Sequence, residues 1–170
     1  TFEPLLENFK ILQKNIGQYS NIKVFNVGLG SKNGSFKVYL SDDSENFGGV
    51  SFYSEGEGNK SESYTECEVR NINDVIEELG ISSIDLMKID TEGAEYDILS
   101  SLNDEILRSI LWITGELHGN RDFELLNYLN NMGFSISVKK LIDDRLFMFN
   151  AGKDEIISQL TRKEIKKSLF

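Results

Sequence analysis

The chain has 170 residues, 39% hydrophobic and 11% aromatic, which suits one globular domain with a sizeable core. Its net charge of −10 argues against nucleic acid as a partner, because phosphate binding depends on a basic surface. The single cysteine, Cys67, excludes an internal disulfide framework and a cysteine-rich zinc site, and fits a reducing, cytoplasmic setting.

The chain opens Thr1-Phe2-Glu3-Pro4, neither a signal peptide nor an initiator methionine. No apolar run approaches the roughly 20 residues of a membrane helix. Pro4 is placed to open a helix in which Leu5, Phe9, Leu12 and Ile16 recur at near-helical spacing, with Gly17 closing it. Ile22–Leu29 reads as a strand and Ser35–Leu40 as a second, joined through the turn signal Lys32-Asn33-Gly34. Residues 41–63 form an acidic, Ser/Gly-rich loop. From Asp42 to Glu68 there are eight acids against the lone base Lys60, which reads as a solvated loop, with a substrate-facing lid as the alternative.

Tyr64–Arg70 alternates, with Thr65, Cys67 and Val69 inward and Glu66 and Glu68 outward, as in a half-exposed strand. A short helix over Ile72–Leu79 ends at Gly80. Ile84–Asp90 is a strand, Ala94–Leu102 a helix, Leu107 the end of a further helical turn, and Ile110–Leu117 a strand. Asp122–Met132 is helical, with Phe123, Leu126, Leu129 and Met132 on its buried face. Phe134–Leu141 and Arg145–Asn150 are strands of an antiparallel hairpin turning at Ile142-Asp143-Asp144, and a helix runs from Asp154 to Leu169. Alternating strands and helices that finish in a hairpin imply an α/β fold with a doubly wound, mostly parallel sheet. Residues 1–152 are expected to form one α/β domain, followed by a C-terminal helix over 153–170, whose basic face (Arg162, Lys163, Lys166, Lys167) is read as solvated surface.

Chemistry concentrates where strands end, since ligands in open α/β sheets bind outside the strands' carboxyl ends. Lys88 and Asp90 are two apart and share a face, and charges in an apolar strand are costly to bury unless paired or functional. A structural ion pair, or a helix cap by Asp90, is the competing explanation. Glu92 and Glu95 fall in the first helical turn, where negative charge suits the helix dipole. Glu116 and His118, also two apart, end the next strand. If the two strands are neighbours, these groups converge on one crevice, where His118 beside the carboxylates could take a proton from a substrate hydroxyl near neutral pH. Asp90, Glu92, Glu116 and His118 are also an oxygen-rich set suited to Mg²⁺ or Mn²⁺, although no spacing motif marks a metal site. Glu3, at a strand end, is the residue type that holds ribose hydroxyls in nucleotide-like cofactor sites. The sequence has no Gly-x-Ser-x-Gly elbow and no Walker loop. With Pro4 its sole proline, it also lacks the Pro-Pro-Tyr type motif of amino-methylating nucleic-acid enzymes.

Taken in order, these pieces resemble the FkbM family of S-adenosylmethionine-dependent methyltransferases. The matching stretches are Phe2-Glu3-Pro4 with Asn8, Leu12 and Asn15; Asn26-Val27-Gly28-Leu29-Gly30 with Gly34; and Asn73-Asp74-Val75-Ile76 before the core Lys88-Ile89-Asp90-Thr91-Glu92-Gly93-Ala94-Glu95. Ile113-Thr114-Gly115-Glu116-Leu117-His118, Gly133-Phe134 and Leu146-Phe147 complete a likeness over roughly residues 1–150. The resemblance implies a Rossmann-like sheet and methyl transfer to a hydroxyl of a sugar, glycolipid or secondary metabolite. It implies that Glu3 holds the cofactor ribose, that Val27 and Gly28 border the adenine, and that Asp90 lies near the methionine moiety or the acceptor hydroxyl. Lys88, Asp90, Glu92, Glu116 and His118 are then the expected catalytic set, and a small molecule or glycan the expected partner. In the family a first strand and a glycine-rich loop precede the Phe-Glu-Pro segment, so the numbered sequence reads as the C-terminal portion of the domain. A non-catalytic binding module of the same fold and another nucleotide-dependent sugar-modifying transferase are the rival readings.

Overall fold

A computed structural model describes residues 1–40, 50–51, 64–119, 121–140 and 147–158. Most of the acidic loop, the hairpin turn at 142–144 and the C-terminal helix beyond residue 158 lie outside the described residues. The chain forms two compact units, Thr1–Val75 and Ile76–Phe170.

In the first unit, α1 (Leu6–Ile16) begins two residues after Pro4, and the Glu3 carboxylate accepts the Leu5 N–H at 2.8 Å just ahead of it. That bond satisfies a backbone donor beside the helix start, one of the groups helix ends leave without internal partners. The strand expected over Ile22–Leu29 is divided. Phe25 makes an isolated parallel bridge with Phe2, their rings stacked at 5.1 Å, and the regular strand β1 covers Gly28–Gly30. β2 (Gly34–Leu40), β3 (Val50–Ser51) and β4 (Tyr64–Asn71) complete a sheet in the order β1-β4-β2-β3. β4 alternates as its sequence dictates: Cys67 and Val69 are buried, and Glu66 and Glu68 exposed. Gly28 faces this core, where an added Cβ would lie 3.1 Å from Val69 and 3.6 Å from Pro4.

The unit boundary falls within α2 (Ile72–Glu78). The second unit holds β5 (Leu86–Ile89), α3 (Glu95–Ser101), α4 (Asp104–Ser109), β6 (Trp112–Leu117), α5 (Asp122–Asn131), β7 (Ser135–Lys140), β8 (Phe147–Gly152) and α6 (Asp154–Ile157). Its sheet runs β5-β6-β8-β7, parallel between β5 and β6 and antiparallel at the other two pairings. The hairpin forms as expected, and β8 rather than β7 docks on β6. The described strands thus make one mixed sheet in each unit of an α/β fold.

β6 alternates strictly, with Ile113, Gly115 and Leu117 buried and Glu116 half-buried on the other face. A Cβ on Gly115 would run into the Ile89 carbonyl, so glycine lets β5 approach β6 closely beside Glu116. α3 buries Ile98 and Leu99 and packs against α5, where Tyr96 meets Tyr128 edge-to-face at 6.2 Å. The expected phase of α5 is corrected. Phe123 is 88% exposed, and Leu125 with Leu129, one helical turn apart, faces the core.

Candidate functional site

Within the second unit the two polar strand ends converge, because β5 and β6 are parallel neighbours. His118, one residue past β6, is the centre. Its side chain is 9% exposed, and its Nδ1 lies 2.9 Å from Glu95 Oε1. Its other ring nitrogen, Nε2, faces three carboxylates: Glu92 at 3.4 Å, Asp90 at 3.8 Å and Glu116 at 4.0 Å.

Glu95 orients the ring. It is the sole charged residue in the buried set among the described residues. Its Oε1 accepts the Thr91 N–H at 2.8 Å, the Thr91 hydroxyl at 3.1 Å and the Gly93 N–H at 3.3 Å, besides facing His118. Burial favours the neutral acid, but the His118 hydrogen bond and the backbone donors outweigh it and hold the carboxyl below its ordinary range. An ionised Glu95 is acceptor-only, so Nδ1 of His118 carries hydrogen and Nε2 is the exchanging nitrogen.

Electrostatics then set the imidazole. Burial lowers its proton affinity, while the Glu95 hydrogen bond and the charges of Glu95, Glu92 and Asp90 raise it, for a pKa of about 8. Burial pushes Glu92 up; His118 opposes the shift, and Asp90, Glu95 and Glu116 reinforce it.

Of the expected catalytic residues, Asp90, Glu92, Glu116 and His118 come together. Lys88 joins them through the ion pair that the sequence offers as the competing explanation. β5 ends the second unit's sheet among the described strands, and the Lys88 side chain is 65% exposed rather than buried, with Nζ 2.8 Å from Asp90 Oδ2. It balances the Asp90 charge from outside. Asp90, Glu116 and His118 offer one ligand atom each within 4.8 Å of one another. Exposed acidic groups are often so arranged without an ion, and no metal is assigned to them. Glu95 was given only a dipole role by the sequence, and its partner is 23 residues away.

The turn before α3 carries strain. Glu92 has φ 54° and Gly93 φ 110°, and the left-handed region is unfavourable for a residue with a side chain. Glu92→Gly removes the carboxylate and relieves the backbone, whereas Glu92→Ala removes the carboxylate alone. We expect the glycine variant to be the more stable by about 1 kcal/mol, melting roughly 2–4 °C higher in thermal denaturation. Equal melting temperatures would remove the strain argument.

The expected cofactor residues Glu3, Val27 and Gly28 lie in the first unit. Glu3 is half-buried, and burial pushes its carboxyl up against the lowering effect of the Leu5 N–H.

Residues 1–136 match the family described as the methyltransferase FkbM domain. A protein from Pseudomonas aeruginosa named AMB antimetabolite synthetase AmbE is 26% identical over 179 residues, covering 82% of this chain and 8% of that protein. A protein from Beauveria bassiana named Methyltransferase 1 is 25% identical over 159 residues, covering 82% of this chain and 63% of that protein. The chain therefore spans a small part of the first relative and under two thirds of the second. No solved structure matches.

Proposed function

We infer function from one premise: the chain belongs to the FkbM methyltransferase family. The reading is an S-adenosylmethionine-dependent O-methyltransferase acting on a hydroxyl of a sugar, glycolipid or secondary metabolite. The observation that carries it is His118, fixed at Nδ1 by buried Glu95 with Nε2 turned toward Asp90, Glu92 and Glu116. Family membership implies a Rossmann-like domain over residues 1–152. No described helix is long and apolar enough to cross a membrane.

The sulfonium donor supplies an electrophilic methyl group when bound. What the chain must add is alignment and removal of the hydroxyl proton. Neutral His118 takes that proton at Nε2, and the resulting imidazolium is stabilised by Glu95 on one side and by Asp90 and Glu92 on the other. Asp90 and Glu116, both partly exposed, are placed to accept hydrogen bonds from neighbouring acceptor hydroxyls. Glu3 fits a ribose diol in chemistry: Oε1 is engaged by Leu5 N–H, and Oε2 of the same half-buried carboxylate is the atom proposed to accept. Val27 and Gly28 are proposed to border the adenine, and Asp90 the methionine end.

The test uses the full-length native protein. It is titrated calorimetrically with S-adenosylmethionine, then incubated with the donor and a panel of hydroxylated acceptors, and products are analysed by mass spectrometry. Donor binding and a methyl ether on an acceptor are expected. Absence of donor binding would overturn the reading in favour of a non-catalytic module. A different co-purifying nucleotide would overturn it in favour of another transferase.

A further inference from the structure

The geometry points to Arg121 as a positioning residue for His118, clasping the segment that carries the imidazole onto the helix that carries Glu95. Arg121 lies three residues after His118, and its guanidinium reaches back to the two residues that follow Glu95. Nη1 is 2.8 Å from Asp97 Oδ1, and the guanidinium carbon stands 3.8 Å from the centre of the Tyr96 ring. The other arm holds Glu124 in the first turn of α5, with Nη2 at 2.6 Å and Nε at 2.8 Å from Oε2. The segment from β6 to α5 therefore touches α3 twice, through His118–Glu95 and through Arg121 on Tyr96 and Asp97.

The backbone supports this assignment. Arg121 has φ 60°, a conformation that a residue with a side chain adopts at a cost and that persists where surrounding contacts hold it. It stands directly before α5, and the Gly119 N–H is accepted by Asp122 Oδ2 at 2.9 Å, closing the turn around it. An isolated exposed ion pair contributes little. Here two carboxylates and an aromatic face converge on one planar cation, the network arrangement in which such contacts matter.

The groups facing His118 are Glu95 from α3, Asp90 and Glu92 from the segment after β5, and Glu116 from β6, with Asp122 at the head of α5. Removing a cation from this neighbourhood would by Coulomb's law raise the proton affinity of His118. Loosening the clasp would weaken the Glu95 hydrogen bond and lower it. The two effects have opposite signs, so one titration separates them.

The inference deepens the proposed role of His118 as base, but its test needs neither donor nor acceptor. His118 is the only histidine in the chain, so its ring protons give one NMR signal to follow against pH in the full-chain protein. Arg121→Gln is expected to lower the midpoint by half a unit or more, and Arg121→Lys by less. Glu124→Gln, which leaves the arms on Tyr96 and Asp97, is expected to leave it in place. An unchanged or raised midpoint in Arg121→Gln, with or without a fall in melting temperature, overturns the inference. Should that variant fail to fold, Arg121→Lys decides, since a midpoint equal to the parent's overturns it as well.

Discussion

Replacing Glu95 by alanine lowers the melting temperature by about 10 °C, the largest loss expected from one side chain at the site. The mechanism is desolvation. Glu95 Oε1 is the acceptor for Thr91 N–H, Gly93 N–H and the Thr91 hydroxyl, and it faces Nδ1 of His118. Alanine leaves these partly buried groups without that acceptor, and breaking a buried charged pair from one side costs about 3–5 kcal/mol. At roughly 2–4 °C per kcal/mol for a chain of this size, thermal denaturation reads a fall of that order. Glu95→Gln is the informative companion. Its amide oxygen can keep the three donors, so most of the stability returns, but the negative charge does not. The His118 midpoint then falls from about 8 toward the ordinary histidine value of about 6.5. A Gln variant with an unshifted midpoint would show that Glu95 is not what sets the imidazole.

How much of this was legible beforehand depended on the range over which each signal acts. The convergence of Asp90, Glu92, Glu116 and His118 followed from period-two alternation and from the pairing of consecutive parallel strands, both readable locally. The role of Glu95 was not readable in this way. A glutamate in the first turn of a helix has a sufficient local explanation in the dipole, and only the tertiary contact with His118 adds the second one. The apolar strand suggests burial for Lys88, whereas β5 ends the second unit's sheet among the described strands, with Leu86 63% exposed and Lys88 paired with Asp90. Phe123 was misplaced because its helical spacing to Leu126 is as good as that of Leu125 to Leu129, and the packing of α5 on α3 chose the second stripe. Strand order within each sheet shows the same limit. Hairpin and alternation signals identify strands, but the choice of neighbour, as in β8 docking on β6, is made by long-range pairing that no local window contains.

His118→Asn is expected to lower kcat/KM for methyl transfer by about 10² to 10⁴-fold, the usual contribution of a positioned general base. Magnitude alone would not identify the role, so the pH dependence matters more. The proton acceptor is the neutral imidazole, and the folded-state pKa is about 8. The parent's kcat/KM should therefore climb close to tenfold per pH unit up to that value and level off above it, and the Asn variant should lose the inflection. A parent profile that is flat from pH 6 to 9 would remove His118 as the base and pass the role to Asp90 or Glu116. Stability should move in the opposite sense. A histidine whose folded pKa is raised from about 6.5 binds its proton more tightly in the native state, so its contribution is full below about pH 6.5. That contribution, up to about 2 kcal/mol, is lost as pH rises through about 8. Denaturant unfolding of the parent at pH 6 and pH 9 should show the difference, and the Asn variant should not. Both trends come from one proton: the state that holds His118 firmly on Glu95 is the one that cannot accept a hydroxyl's hydrogen, so the site works best where its central ion pair has stopped contributing to the fold.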